Sequence, residues 1–220
     1  MNNITKNLLS ILTLSVVMTP LAPAAVVTFT GGTITKNDGS TSVTNGSSLE
    51  SDVNFYTESG FVLDYVGAGD FSAFVGNYYG SGNDVIHGHW GMGLSSIDIY
   101  KAGGGTFDLN YFVLTSNTQM GGGSATGNER VTIEGFLNGV STGTAFLLPP
   151  EDWGFPAIDV FMSSNFDLVD RVKIVGNNSF CYGMDEFYID QSAPVPEPTA
   201  SALLALGLGG LIALRRTRRV

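Results

Sequence analysis

Two histidines stand one residue apart in His87-Gly88-His89, with Trp90 directly after them. On a strand, residues i and i+2 share a face, so both imidazoles would point at one metal ion or one polar ligand while Trp90 projects the other way. No third ligand lies nearby in sequence, which leaves the pair an incomplete zinc site, and hydrogen-bonded loop histidines are the plainer reading. Joined by Tyr78, Tyr79 and Trp153, the same string has the parts of a sugar platform. Aromatic faces pack on the C–H faces of sugars and polar neighbours take the hydroxyls, although core filling is the commoner fate of such rings.

Catalytic chemistry leaves no marker. There is no Gly-x-Ser-x-Gly elbow, His-Glu-x-x-His, Gly-x-x-x-x-Gly-Lys phosphate loop or Cys-x-x-Cys. Glycoside hydrolysis needs two carboxylates across a cleft, and in so acidic a chain some pair can always be named, which gives no pair any weight. The expectation is a protein that is not an enzyme. Cys181 is the only cysteine, so no intrachain disulfide can form. Its neighbours in Phe180-Cys181-Tyr182 read as a strand with an inert, buried thiol.

The elements that position these groups are strands. In 220 residues, 43% apolar and 14% charged with 29 glycines, the composition suits one core of short strands and tight turns, not a helical bundle. A formal charge of -10 excludes the basic surface that nucleic acid requires. Residues 26–195 hold five basic and nineteen acidic groups, a net -14. Such a surface repels anionic polymers and attracts divalent cations, or simply keeps the protein in solution.

Eight or so strands are legible: 26–30, 61–66, 97–100, 107–114, 130–137, 140–148, 171–175 and 186–190. Asn138-Gly139, between alternating apolar runs, predicts a type I′ hairpin. Strands at this spacing predict an all-β sandwich or jelly roll.

Both ends read as addresses. Lys6, the apolar run Leu8 to Met18, and the small-residue exit Ala22, Ala24, Ala25 form the three parts of a secretory signal peptide over residues 1–25, to be cut by signal peptidase after Ala24 or Ala25. At the other end, Val195-Pro196-Glu197-Pro198 precedes an uncharged stretch, 200–214, and then Arg215, Arg216, Arg218 and Arg219. As a helix, fifteen residues rise about 22 Å against a hydrocarbon core of roughly 30 Å, a short transmembrane span helped by snorkelling arginines. The arginines should stay cytoplasmic, which places residues 26–192, the β-sandwich ectodomain, on the far side of the inner membrane.

The Pro-Glu-Pro box, short apolar helix and Arg cluster of residues 193–220 resemble the PEP-CTERM sorting signal. That resemblance implies processing by exosortase in a Gram-negative bacterium that makes extracellular polysaccharide, and delivery to the cell surface or biofilm matrix. Tyr56-x-Glu58-x-Gly60-Phe61, Phe107-Asp108-Leu109, Gly135-x-x-Asn138-Gly139, Val169-Asp170-x-Val172 and Met184-Asp185-Glu186-Phe187 resemble the jelly-roll ectodomains of such proteins. These look like galactose-binding or carbohydrate-binding-module sandwiches. The resemblance implies a structural calcium where an early strand meets the last, with Glu50 or Asp52 and Asp185 or Glu186 as carboxylate candidates. The expected role is structural or adhesive, with a calcium-stabilised carbohydrate-binding module as the alternative and an extracellular glycan hydrolase third.

Overall fold

The computed structural model describes residues 24–68, 73–77, 84–89, 93–118, 130–148, 158–177 and 181–194. Most of both terminal addresses, and with them Ala22, Val195 to Pro198 and the four arginines, lie outside these residues; Ala24 and Ala25 lie within them, and Ala25 opens the first strand. So do Tyr78, Tyr79, Trp90 and Trp153.

In chain order the strands are β1 (Ala25–Val27), β2 (Thr33–Lys36), β3 (Thr41–Val43), β4 (Leu49–Ser51), β5 (Val53–Glu58), β6 (Phe61–Gly67), β7 (Ala73–Asn77) and β8 (Asp84–His89). They continue as β9 (Leu94–Lys101), β10 (Leu109–Thr118), β11 (Arg130–Leu137), β12 (Val140–Leu148), β13 (Ile158–Phe161), β14 (Arg171–Asn177) and β15 (Cys181–Ile189). Among the described residues one 3-10 turn, Ser164–Phe166, interrupts them.

Among the described residues all pairing is antiparallel, in two sheets. Sheet A runs β13-β10-β15-β8-β7-β4, with β1 added beside β15; sheet B runs β12-β11-β14-β9-β6-β5-β2-β3. This is the all-β sandwich of the jelly-roll kind that the strand pattern predicts.

Alternation builds the core. In β11, Val131 and Ile133 are buried while Arg130, Thr132 and Glu134 face out; in β14, Val172 and Ile174 face in. On the inward side of sheet A, edge-on aromatic rings pack together: Phe29, just after β1, meets Phe187 at 5.5 Å and Phe187 meets Phe112 at 5.4 Å. The predicted hairpin forms, with Leu137 opposite Val140 and positive φ at both Asn138 (53°) and Gly139 (76°), as a type I′ turn requires.

Several predicted boundaries move, three of them for a clear local reason. The first strand stops at Val27 because Phe29 turns left-handed (φ 59°) and buries its ring, while Glu58 accepts the N–H groups of Thr28 (3.1 Å) and Phe29 (2.9 Å). Phe107 makes only an isolated bridge to Val169, so β10 begins at Leu109. The last strand starts five residues earlier than predicted, at Cys181. It carries a bulge in which Tyr111 faces Tyr188 but Val113 faces Asp185, with Glu186 at φ 49° as the extra residue. The bulge switches the inward set from Met184 to Phe187 and Ile189.

Candidate ligand-binding face

The outer face of sheet B gathers polar and aromatic groups in two cross-strand rows. Phe55 stands opposite Asp64, Asp64 opposite Asp98, Asp98 opposite Lys173 and Lys173 opposite Glu134. One step along the strands, Thr57 faces Val62, Val62 faces Tyr100, and Arg171 faces Phe136. Each follows from period two, because Leu63, Ile97, Ile99, Val172 and Ile174 take the inward positions and hand the outward ones to their neighbours.

Two aspartates directly across a ladder repel unless something intervenes. Here Asp98, only 8% exposed, accepts from Ser96 Oγ at 2.8 Å through one oxygen and from Arg171 Nη1 at 3.4 Å through the other. The Arg171 guanidinium in turn lies over the Phe136 ring, 4.4 Å from its centroid. Asp64 accepts a long hydrogen bond from Tyr100 Oη at 3.4 Å. Partial burial raises the Asp64 carboxyl above the usual carboxylate range; the Tyr100 bond pulls it back, and the Asp98 charge pushes it up. Burial, and after it the Asp64 charge, raises the Tyr100 phenol. The face thus offers half-buried aromatic rings, a phenol, a guanidinium, an ammonium and carboxylates on one shallow surface. Those are groups that stack on sugar rings and divide hydroxyl donors from acceptors.

The histidine pair lies on the outer face of sheet A. As the i, i+2 spacing predicts, His87 and His89 share a face, with ring centroids 5.1 Å apart, and Phe74 lies 4.9 Å from His89 and 6.0 Å from His87. Burial holds His87 far below the usual imidazole range, helped by the His89 charge, and lowers His89 too. His87 is fully buried. Among the described residues no group of three His, Cys, Asp or Glu is placed to hold a metal ion. Cys181 opens β15 opposite His89.

The four carboxylates proposed for calcium do not converge. Between β4, which holds Glu50, and β15, which holds Asp185 and Glu186, lie β7 and β8. Three interstrand spacings make about 14 Å, too far for one ion at roughly 2.4 Å from each ligand. Glu50 instead pairs with Lys36 at 2.8 Å, Asp52 is exposed at a left-handed turn (φ 59°), and Asp185 Oδ1 accepts the Glu186 N–H at 2.7 Å across the bulge. These residues do not fit a shared site.

Sequence reasoning missed the face on sheet B. Its charged members sit singly in strands, two or more residues apart, and only the register of β6, β9 and β14 makes them neighbours. The like-charge pair in Val62-Leu63-Asp64 and Ile97-Asp98-Ile99 carries no local signature.

A family model described as the PEP-CTERM protein-sorting motif matches residues 194–219. The chain carries the C-terminal signal of a secreted, exosortase-processed protein of Gram-negative bacteria. Among curated proteins nothing matches. Among solved structures the chain is similar to a mutant of the carbohydrate-binding module CBM29-2, at 16% identity and TM-score 0.37, covering 80% of this chain and 100% of that one. It is also similar to a structure named carbohydrate binding module family 29 (17%, TM-score 0.36, 77% and 91%). A third is TmCBM61, solved with β-1,4-galactotriose (11%, TM-score 0.26, 66% and 88%). Likeness at that level transfers no ligand and no residue role to this chain.

Proposed function

We propose that the processed domain is a non-catalytic adhesive module of the cell surface or extracellular matrix, and that it holds a neutral polysaccharide on the outer face of sheet B. One observation carries this reading: the ladder registers of β5, β6, β9, β14 and β11 set Asp64, Asp98, Lys173 and Arg171 between the rings of Phe55 and Phe136. Hydrogen-bonding groups flanked by aromatic rings on a rigid sheet suit a chain of sugars with alternating C–H faces and hydroxyls. The net -14 of residues 26–195 disfavours an anionic polymer, which makes a neutral one the natural partner. Both oxygens of Asp98 are already engaged, by Ser96 and Arg171, which suits holding better than nucleophilic attack. The signal peptide, signal peptidase and the inner membrane serve delivery in this scheme; the sandwich serves attachment.

The test is affinity electrophoresis of the exported, processed protein in gels containing neutral polysaccharides, with reducing ends assayed in parallel. Retardation by at least one neutral polymer is expected. Tyr100→Ala and Asp98→Asn should each weaken it about tenfold, near 1.4 kcal/mol. Trp90→Ala probes the alternative platform of Tyr78, Tyr79, Trp90 and Trp153, and should leave binding intact. Loss of binding in Trp90→Ala with retention in both sheet B variants would move the site off this face, and release of reducing ends would make the protein a hydrolase.

A further inference from the structure

At one end of the sandwich, away from the face just described, the β7–β8 hairpin meets the loop that carries the chain from β3 in sheet B to β4 in sheet A. The outermost pair of that hairpin is Asn77 opposite Asp84. Both belong to the inward set, since Val75 and Ile86 beside them lie in the core. The loop is bound tightly to the pair. Gly46 N–H donates to Asp84 Oδ2 at 2.7 Å, Asn77 Nδ2 donates to the Gly46 carbonyl at 3.0 Å, and Asn77 N–H donates to the Ser48 carbonyl at 3.0 Å. The approach is so close that a Cβ on Gly76 would collide with the Ser48 carbonyl, at a backbone φ of +127° that also favours glycine.

Asp84 is 0% exposed, and its second oxygen, Oδ1, is buried with no hydrogen-bond donor. A carboxylate so placed costs free energy unless something positive meets the bare oxygen. Among the described residues no Lys or Arg forms an ion pair with it. Glu58, in contrast, has both oxygens engaged: Oε1 by the Thr28 backbone and hydroxyl, Oε2 by the Phe29 N–H and the Tyr56 hydroxyl. The chain satisfies that half-buried carboxylate in full and leaves half of the fully buried Asp84 bare.

We propose that Asp84 Oδ1 is the anchor of a calcium site at this corner, with the carbonyls of the 45–48 loop as the accompanying hard oxygens. Carboxylate and carbonyl oxygens select calcium over zinc, and magnesium, which keeps most of its own waters, fits a dry corner poorly. An ion here would tie the hairpin of sheet A to a loop arriving from sheet B, a cross-link between the two layers in a protein that can form no intrachain disulfide. The site differs in every residue from the one that resemblance implies.

The experiment takes the exported, processed protein, strips it with EDTA, and titrates calcium chloride while following the thermal melt and the binding heat. A saturable rise in Tm and one bound calcium per chain are expected, with magnesium giving neither. Asp84→Asn should abolish both responses; Glu50→Gln and Asp185→Asn should retain them. Should Asp84→Asn fail to fold, the wild-type titration still decides: no bound calcium and no shift in Tm means that the corner holds no ion and overturns the proposal. So does a full response in Asp84→Asn.

Discussion

On the outer face of sheet A, His87 is fully buried beside Phe74 and His89, and burial holds its imidazole neutral. On the outer face of sheet B, Asp98 is nearly as buried, yet it sits between Ser96, Arg171 and the facing Asp64. Similar burial is answered in two ways. Sheet A removes the charge by shifting a protonation equilibrium, whereas sheet B brings a cation to the charge. The first way yields a ring that behaves as packing; the second leaves polar groups on a surface where a ligand can use them.

Truncation should separate the faces most. Replacing His87 by Ala empties a fully buried ring site and should cost about 2–4 kcal/mol in urea denaturation, the range for deleting a large buried side chain. Lys173→Ala, on the half-buried polar row, should cost no more than about 1 kcal/mol. Equal losses would mean that the two faces are packed alike.

Acid should separate them next, and with opposite signs. Because burial lowers the folded-state pKa of His87 below its unfolded value, the unfolded chain binds the proton more readily. Stability is therefore full above about pH 6.5 and is lost as pH falls below it, by at most about 1.4 kcal/mol per pH unit for this group. His89, lowered in the same direction, adds to the slope. His87→Phe should flatten the decline between about pH 6.5 and 5. An undiminished slope in that variant would place the acid sensitivity elsewhere.

How much of this could be read in the chain depended on how far each signal reaches along it. Arg130 to Leu137 and Arg171 to Val175 alternate cleanly because one side packs and the other is wet, and both became strands as predicted. Seven strands went unread: β2 to β5, β7, β8 and β13. Thr33-Ile34-Thr35-Lys36 has one buried apolar residue and Thr41-Ser42-Val43 has none, so their alternation is faint. β3 holds as the edge strand of sheet B and β2 as its neighbour, through backbone pairing with β5 and with each other. In β8 the buried run continues on both faces through Asp84, Val85, Ile86, His87 and Gly88, and period two disappears. For the site, the shared face of His87 and His89 was a local fact and legible. The meeting of Asp64 with Asp98, thirty-four residues apart, and of Asp84 with Gly46 needed the register of the ladders.

The smallest effect is expected at Asp64, where it also tests whether sheet B is arranged for binding or for stability. Its carboxyl is raised in the folded state, chiefly by partial burial and further by the Asp98 charge, so here the folded chain is the better proton acceptor. The sign is the reverse of His87. The ionised form costs stability above the folded pKa, and that cost is relieved as pH falls through it. Asp64→Asn should therefore raise Tm slightly at pH 7, with the gain fading as the solution is acidified into the carboxylate range and wild-type Asp64 takes up its proton. Partial exposure keeps the gain below what the direction alone suggests, since water screens the pair. If the same variant also weakens polysaccharide binding, the repulsion between Asp64 and Asp98 is retained at a cost in stability because the ligand uses both carboxylates. A variant that is more stable and binds equally well would show Asp64 to be dispensable, and would confine the contact to Asp98, Tyr100 and Arg171.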